Sequence, residues 1–596
     1  MKKVEELQKE LLHKQKKEKN SALVREIVDD YNKRKLARLH QEAVWRLNSD
    51  FIKGKQFSFI NGAYQIATAS PVFDWAEHKV YNRIAPTIEN RLAKFARVNC
   101  KVVVRPASSD DNDINSAKLA SRLIDGTQTD NDFFTLQARA NYLSEVYGTA
   151  FWKVFYENNR VKIVPVSPFE IFPDSLTVSE INDCESIIHA KNFSVNEISS
   201  LYKVPVEEIK LNNSPLPVSN GERSAEVIEK YCRPSRQYPD GRLVIIAGEN
   251  LVFDGILPYL NGDDGERGFP FIKQGAYSSD NEFFARSVIE RLIPVQRAYN
   301  AVKNRKNEYL ARLSVGVIAV EEGSVDLDLL DEEGLPPGKV LVYRQGSTPP
   351  QVMPTGGVPA EFRDEEARLL QEISDISGVS GAVNSASIIS NSISGYALSL
   401  LLEQDYSRLS VTTEGIRNAV RNIGKHILRL YKQFAKTEKL LKTAGTQGKC
   451  EVLSFTAADL TSDDVVLEVD SEMQETPAVR RNMVMDLVKN GILAGENGAI
   501  SERDKARALE MLGFGNWESA KNTEEAHLKR AEAENSELRH SSVDILDADG
   551  HSLHAAEHSR YLASNRQDLS PDAVARFEEH IATHKSLQKL LDNIEK

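Results

Sequence analysis

Apolar residues along this chain change period from segment to segment, and the changes mark out its elements. Residues 4–50 carry a thin stripe, Val4, Leu7, Leu11, then Val24, Ile27, Val28, Tyr31 and Leu39, set among dense charges. That spacing predicts one or two polar helices, an arm that packs lightly or docks on a partner. From about 57 to 283 the pattern is mixed. Helices are expected near Ile84–Val98, Asn115–Asp125 and Phe134–Tyr147, and then strands arrive in pairs. Ala150–Glu157 and Arg160–Val166 flank Asn158-Asn159, which tolerates the positive φ of a tight hairpin; Arg242–Ala247 and Leu251–Asp254 flank Gly248-Glu249-Asn250 in the same way. Ser194 and Glu197 form a capping-box signature for a short helix through Tyr202. Strands that come as hairpins, not alternating with helices, make this an α+β region, and the whole chain reads as α+β and predominantly helical.

Beyond 283 the period lengthens. Val288, Leu292, Val295, Tyr299, Val302, Tyr309 and Leu313 lie on one helical stripe over 284–313, with Pro294 expected to kink or restart it. Residues 315–360 are broken by Pro and Gly around short β-rich runs, Val315–Val320, Val340–Tyr343 and Gln351–Met353. A helix follows over 361–377, with Phe362, Leu369, Ile373 and Ile376 on one side. The next stretch, Gly-, Ser- and Asn-rich with Ile388-Ile389 at its tip, favours a flexible loop. Then Ile393, Ala397, Leu400, Ile416, Val420, Ile423, Ile427, Leu430 and Phe434 keep helical register for a strut of roughly 60–65 Å. Strands are expected again over 451–470 and a helix over 477–491. Residues 521–540 are almost wholly polar, either a solvent-bridging helix or a linker. Ser570-Pro571 starts a final helix whose stripe, Val574, Phe577, Ile581, His584, Leu587, Leu591 and Ile594, asks for a partner such as the same helix of a neighbouring subunit.

Charge changes the picture in two places. The chain as a whole is acidic, with 75 basic against 87 acidic residues and a formal net charge of −12, so bulk attraction to phosphates is not expected of its whole surface. Locally, residues 286–312 hold seven basic and two acidic residues, while 361–377 hold six acidic and two basic. Two adjacent helices therefore carry opposite charge. With 596 residues the chain has room for roughly three to five domain-sized units. Cys100, Cys184, Cys232 and Cys450 show no paired spacing, which suits free thiols in a reducing cytoplasm. The charged start of the chain lacks a signal-peptide core, and no apolar run approaches a membrane span.

Catalytic signatures are scarce. Gly334–Lys339 is the nearest approach to a phosphate-cradling loop, but it is a residue short, ends in Val340 and puts two prolines where amide donors are required. No Gly-x-Ser-x-Gly, HExxH or calcium-loop pattern occurs. Acid pairs such as Asp110-Asp111 and Asp463-Asp464 read as solvated loop charges. His551, His554 and His558 beside Asp549, with His580 and His584, provide two i,i+4 pairs that could share a helix face and ligate zinc. Packing or polar surface is their ordinary reading, so no metal and no cofactor are expected, and these five histidines are the residues that would hold a metal if one were present.

Several phrases, in order along about 500 residues, resemble the portal proteins of tailed bacteriophages. They are Trp45-x-x-Asn48-x-x-Phe51-x-x-Gly54-x-Gln56; Asn82 and Pro86 ahead of a helix; Tyr147-Gly148-Thr149 before the hairpin 152–166; Ser167-Pro168-Phe169-Glu170 with Asp174; Gln296-x-x-x-Asn300; Ser377-Gly378-Val379; and Asp549-Gly550-His551-x-x-His554-x-x-x-His558. One departure is Ala285-Arg286-Ser287, where many relatives place a glycine before the serine.

The resemblance implies an N-terminal helical arm (1–56), an α+β wing (57–283), a first stem helix (284–314), a clip (315–360), a second stem helix (361–378), a tunnel loop (379–394), a long helix (395–437), a wing return (438–505) and a helical crown (506–596). It further implies a non-enzymatic ring, expected to have twelve subunits, at one capsid vertex of the virion, assembled in the host cytoplasm with no membrane. Double-stranded DNA would pass through that ring during packaging and ejection. The terminase large subunit, a head–tail adaptor, and the major capsid and scaffolding proteins would be its partners. Ser387, Ile388, Ile389 and Asn391 would then face DNA from the tunnel loop, and Lys303, Lys306, Glu365 and Glu372 would be the stem charges of the channel. Two other readings remain: a nucleic-acid-processing metalloenzyme using the C-terminal histidines, or another ring-forming head–tail protein.

Overall fold

A computed structural model describes residues 2–70, 78–96, 98, 101–108, 110–209, 223–262, 265–275, 282–315, 317–326, 328, 340–353, 359–379, 395–435, 439–444, 450–460, 462–468, 485, 523–546, 548–566 and 569–594. The chain is a mixture of helices and antiparallel strands and divides into two compact units. The first comprises Met1–Val104, Thr127–Glu438 and Thr456–Glu468; the second comprises Arg105–Gly126, Lys439–Phe455 and Val469–Lys596.

The first unit is organised by its sheets. Strands β4 (Thr149–Glu157) and β5 (Arg160–Val166) form the expected hairpin, with Asn158 at φ 49° and Asn159 at φ 66°, and β11 (Phe271–Gly275) adds to the free edge of β4. A five-stranded sheet runs β10-β9-β8-β7-β6, from Asn250–Gly255 and Arg242–Ala247 through Ser224–Cys232 and Ser186–Ser194 to Ile171–Pro173. Its β9–β10 turn is tighter than expected: Gly248 and Glu249 alone take positive φ, Asn250 already pairs with Ala247, and a bulge between Leu251 and Phe253 absorbs the difference. The capping box at Ser194 and Glu197 forms as predicted and opens a helix over Val195–Tyr202.

Helices α1 (Lys2–Ala37) and α2 (Leu39–Ile52) pack far more closely than a loosely docked arm would. Val24, Ile27 and Tyr31 are buried against Phe172, Ile188, Ile228, Val244 and Ile246 of the five-stranded sheet. The reason the sequence understated this is that two of the anchors are cations. Arg34 donates to the carbonyls of Phe172 and Ser186, each at 3.1 Å, and Arg38, 1% exposed, donates to those of Pro168 (2.9 Å), Phe169 (2.8 Å) and Ile171. Glu42 neutralises Arg38 at 2.8 Å. One turn on, Trp45 is fully buried with edge-on contacts to Phe169 and Phe284, at the centre of a cluster that includes Phe151, Phe271 and Phe283.

Three further helices extend from this core. Helix α7 (Val288–Val315) starts at Ser287, later than the expected 284, because Ser287 caps it: its hydroxyl accepts from the Ile289 amide, and its own amide donates to the Glu290 carboxylate. The helix then runs unbroken through Pro294, so of the expected kink or restart the restart does not occur. Helix α8 (Glu361–Ser377) ends where predicted, with Gly378 at φ 68° as its left-handed cap. Helix α9 (Gly395–Phe434) buries Ile416, Val420, Ile423, Ile427 and Leu430, the predicted stripe, against β4, β11 and β16 (Val465–Glu468), which itself pairs with β3 (Lys101–Val104). Between α7 and α8 the strands β12 (Val317–Ala319) and β13 (Gln351–Met353) pair. Val340–Tyr343, expected as a strand, has no strand partner among the described residues, and Val340, Val342 and Tyr343 are exposed.

In the second unit β14 (Lys439–Ala444) and β15 (Cys450–Phe455) form a hairpin. Helices α10 (Thr523–Leu538), α11 (His551–Asn565) and α12 (Pro571–Ile594) pack together. The polar stretch expected as a bridge or linker is therefore a packed helix, and its buried face includes Glu534 and Asn535 beside Ala531 and Leu538. Helix α12 begins with Ser570 as cap and Pro571 in the first turn; Phe577 and Ile581 are buried within the chain, while Leu590 and Leu591 are exposed. Of the predicted helix over 477–491, only Met485 lies among the described residues.

Gly148 ends α5 (Phe133–Tyr147) at φ 83°, and a Cβ there would run into the backbone carbonyl of Ala285. Gly148→Ala is expected to destabilise the protein by about 3 kcal/mol or more, seen as a lowered unfolding temperature.

Candidate functional site

The two helices whose opposite charges stood out in the sequence lie antiparallel. The Lys306 ammonium is 3.0 Å from the Glu366 carboxylate, Lys303 pairs with the other oxygen of the same group, and Tyr309 faces Phe362. Near the start of α7 and the end of α8, Ile289, Leu292 and Ile293 share a core with Ile373. Burial alone would raise the Glu366 carboxyl, but the two lysines outweigh it and hold its pKa below the ordinary value. Lys303 is raised in turn, chiefly by its hydrogen bond to Glu366.

The predicted stem charges therefore divide. Lys303 and Lys306 share one carboxylate inside their own chain, that of Glu366, one position from the predicted Glu365. Glu365 itself pairs with Arg368 at 2.9 Å, on a largely exposed surface, and Glu372 is half-buried on the same helix. Ser387, Ile388, Ile389 and Asn391 lie outside the described residues.

What holds α7 is a ladder of buried amides. Gln296, Asn300 and Asn304 repeat every four residues, which rises about 6 Å along a helix; two residues of extended backbone advance about 6.6 Å. The side chains can therefore pair with alternate backbone groups of a neighbouring segment. Gln296 Oε1 accepts from the Arg83 amide (2.9 Å) and its Nε2 donates to the Tyr81 carbonyl (2.9 Å). Asn300 Oδ1 accepts from the Tyr81 amide (3.0 Å), and Asn304 exchanges both bonds with Lys79 (3.2 and 3.0 Å). Asn300 Nδ2 completes the set on Gln56 Oε1 at 2.7 Å.

Below the ladder sits an ion pair. Arg91 binds Glu145 through two nitrogens, at 2.6 and 3.1 Å, and donates to the Ser377 carbonyl at the end of α8; the Ser287 hydroxyl donates to the Glu145 carbonyl at 2.5 Å. Both partners are almost fully buried.

The five C-terminal histidines also converge, all of them buried. His584 Nδ1 is 3.0 Å from His551 Nδ1, and its Nε2 is 3.2 Å from His580 Nε2. His554 Nδ1 lies 3.0 Å from Glu534 Oε2, and His558 Nδ1 lies 2.7 Å from Asn535 Oδ1. Burial first, and then the neighbouring imidazoles, push His584 down to about 4. Burial would raise the Glu534 carboxyl, but the imidazoles gathered round it and the hydrogen-bonded Arg530 guanidinium prevail and hold it well below the carboxylate range. Glu534 and Asn535 escaped the sequence reading because they sit in the polar stretch. Their signal was the spacing His527, Ala531, Glu534, Leu538, one helical face.

Asn300→Ala should leave the Tyr81 amide and Gln56 unpaired and lower stability by about 3 kcal/mol, read from the unfolding temperature. Glu366→Gln should cost about 1 kcal/mol near neutrality. Because the folded carboxyl is depressed, that contribution is complete above the ordinary value of 4.5 and disappears as pH falls through the lower folded value. Unfolding of wild type and variant measured across that acid range should therefore converge at the acid end.

Comparison with curated proteins finds no match. Residues 224–483, which include β8, both antiparallel helices, the insert between them and α9, match the model of the Phage P22-like portal protein family. Among the described residues no helix is long and apolar enough to cross a membrane. Together with the ordered phrases of the sequence, the match over this central span, less than half of the chain, supports a tailed-phage portal protein.

Proposed function

We propose that this chain is one subunit of a ring, of twelve copies, set at a single capsid vertex, through which double-stranded DNA enters during packaging and leaves during ejection. The single observation that carries the reading is the antiparallel pair α7 and α8, braced at its base by Arg91–Glu145 and held along its length by the amide ladder, inside the span that matches the portal family. Such a pair is stiff and fixed in register, as a conduit wall must be.

In this assignment residues 284–314 and 361–378 are the stem, 315–360 the clip and 379–394 the tunnel loop. The arm (1–56), 57–283, 395–437 and 438–505 build the wing side, and 506–596 the crown. The terminase large subunit and a head–tail adaptor dock on the ring, and the major capsid and scaffolding proteins surround it. The role is structural, not catalytic. A channel must not grip its cargo, and phosphate binding strengthens with each cation that is offered. Lys303 and Lys306 satisfied by Glu366 support a wall that does not grip, and Ser387, Ile388, Ile389 and Asn391 would touch DNA without adding positive charge.

Negative-stain electron microscopy with mass photometry on the purified protein should give rings of about twelve subunits with a central hole. A chain that stays monomeric even when co-expressed with its scaffolding protein would overturn the reading. Deleting 385–392 should impair DNA packaging or retention while leaving rings intact; unchanged packaging and retention would remove the tunnel-loop assignment.

A further inference from the structure

We propose that the second unit binds a divalent transition-metal ion of the zinc class on Glu534, His558, His580 and His584. The portal reading leaves these residues unused, and the proposal does not depend on it.

The geometry is that of a closed four-ligand centre. One ligand atom from each residue lies within 4.8 Å of all the others. A tetrahedral ion bonded at about 2.0–2.1 Å holds its ligand atoms roughly 3.4 Å apart. The separations found are 3.2 Å for His580 Nε2 to His584 Nε2, 3.5 Å for His558 Nε2 to Glu534 Oε2, and 3.9 Å for His580 Nε2 to Glu534 Oε2.

The far side of the rings is arranged for the same purpose. Asn535 Oδ1 can only accept, so His558 carries its proton on Nδ1 and turns an unprotonated Nε2 toward Glu534. That Nε2 makes no hydrogen bond, although the side chain is fully buried. His551 Nδ1 occupies the corresponding position behind His584. Glu534 is oriented by Arg530 on Oε1 (2.9 Å) and by His554 on Oε2. A plain hydrogen bond between His580 and His584 would satisfy one lone pair and leave His558 Nε2 without a partner; a cation satisfies all four atoms together. Imidazole nitrogens with one carboxylate suit zinc among the common divalent ions, and four protein ligands leave no open position, so the ion is structural.

The unit has a use for it. Among the described residues of its three helices the buried apolar cluster is Leu538, Leu562, Phe577 and Ile581, and a metal bridging α10, α11 and α12 would tie the same three helices together.

The test uses the untagged full-length protein. Elemental analysis after purification should find about one zinc-class ion per chain. After chelation, titration with Co²⁺ should produce the visible absorption of four-coordinate cobalt and saturate at about one equivalent. His580→Gln and His584→Gln should abolish that band, Glu534→Gln should weaken it, and His40→Gln, on an exposed part of α2, should leave it unchanged. Because the cobalt spectrum of the wild-type protein is read independently of any variant, misfolding of the variants cannot rescue the idea. Metal-free protein that gives no cobalt band, or a band that persists in His580→Gln and His584→Gln, would overturn it.

Discussion

The buried ion pair between Arg91 and Glu145 is the constraint on which the first unit turns. Four elements meet there: α3 (Ile84–Phe95) contributes Arg91, α5 contributes Glu145, the cap of α7 contributes the Ser287 hydroxyl, and the end of α8 contributes the Ser377 carbonyl. A charge so deeply buried is tolerable only when every donor and acceptor is used, and losing either partner strands the other at a cost of about 3–5 kcal/mol. The chain therefore cannot move one of the paired helices at this end without moving the other, or without disturbing the helices behind them. Gly378, left-handed and placed against Arg408 and Arg91, lets the chain turn away directly after delivering that carbonyl.

The phrases that resembled portal proteins prove to be mostly joints. Trp45 fills the aromatic core, Asn48 Nδ2 donates to the Val146 carbonyl, Phe51 packs with Ile84, Ile88 and Leu292, and Gln56 ends the amide ladder. Asn82 caps α3 and ties it to the end of α2, Thr149 accepts from the Ala285 amide, and Ser167 caps the turn whose carbonyls receive Arg38. Buried polar side chains of this kind make specific bonds that few substitutions reproduce, whereas an apolar core tolerates exchange of similar volumes. That is a physical reason for the amides, hydroxyls and glycines of such a phrase to be recognisable beside the aromatic residues they position.

Legibility followed the same division. Stripes with a clear period, 416–430 in α9 and the hairpin around Asn158, could be read directly because burial of one face is a local property of sequence. Arg34 and Arg38 could not, since periodicity counts cations as exposed while here their guanidinium groups satisfy sheet carbonyls. The linker reading of 521–540 failed for a related reason: a helix whose inner face offers Glu534 and Asn535 to histidines from two other helices looks polar all round until those helices are in place. That Glu366 and not another acid of the helix meets the lysines could not be read, because charge counts cannot fix helix rotation.

The amide ladder supplies that missing rotation. With Gln296, Asn300 and Asn304 committed to Lys79–Arg83, Lys303 and Lys306 must turn toward α8, where Glu366 meets both. A slip of one residue would bury three amides without partners, so register and rotation are fixed together. The residues of α7 left exposed then include Arg291, Pro294, Arg297, Ala298, Ala301 and Arg305, so three arginines stay at the surface while the two lysines turn inward. A helix pair that draws two of its lysines into its own seam, onto one carboxylate, leaves less positive charge on its surface than composition alone suggests.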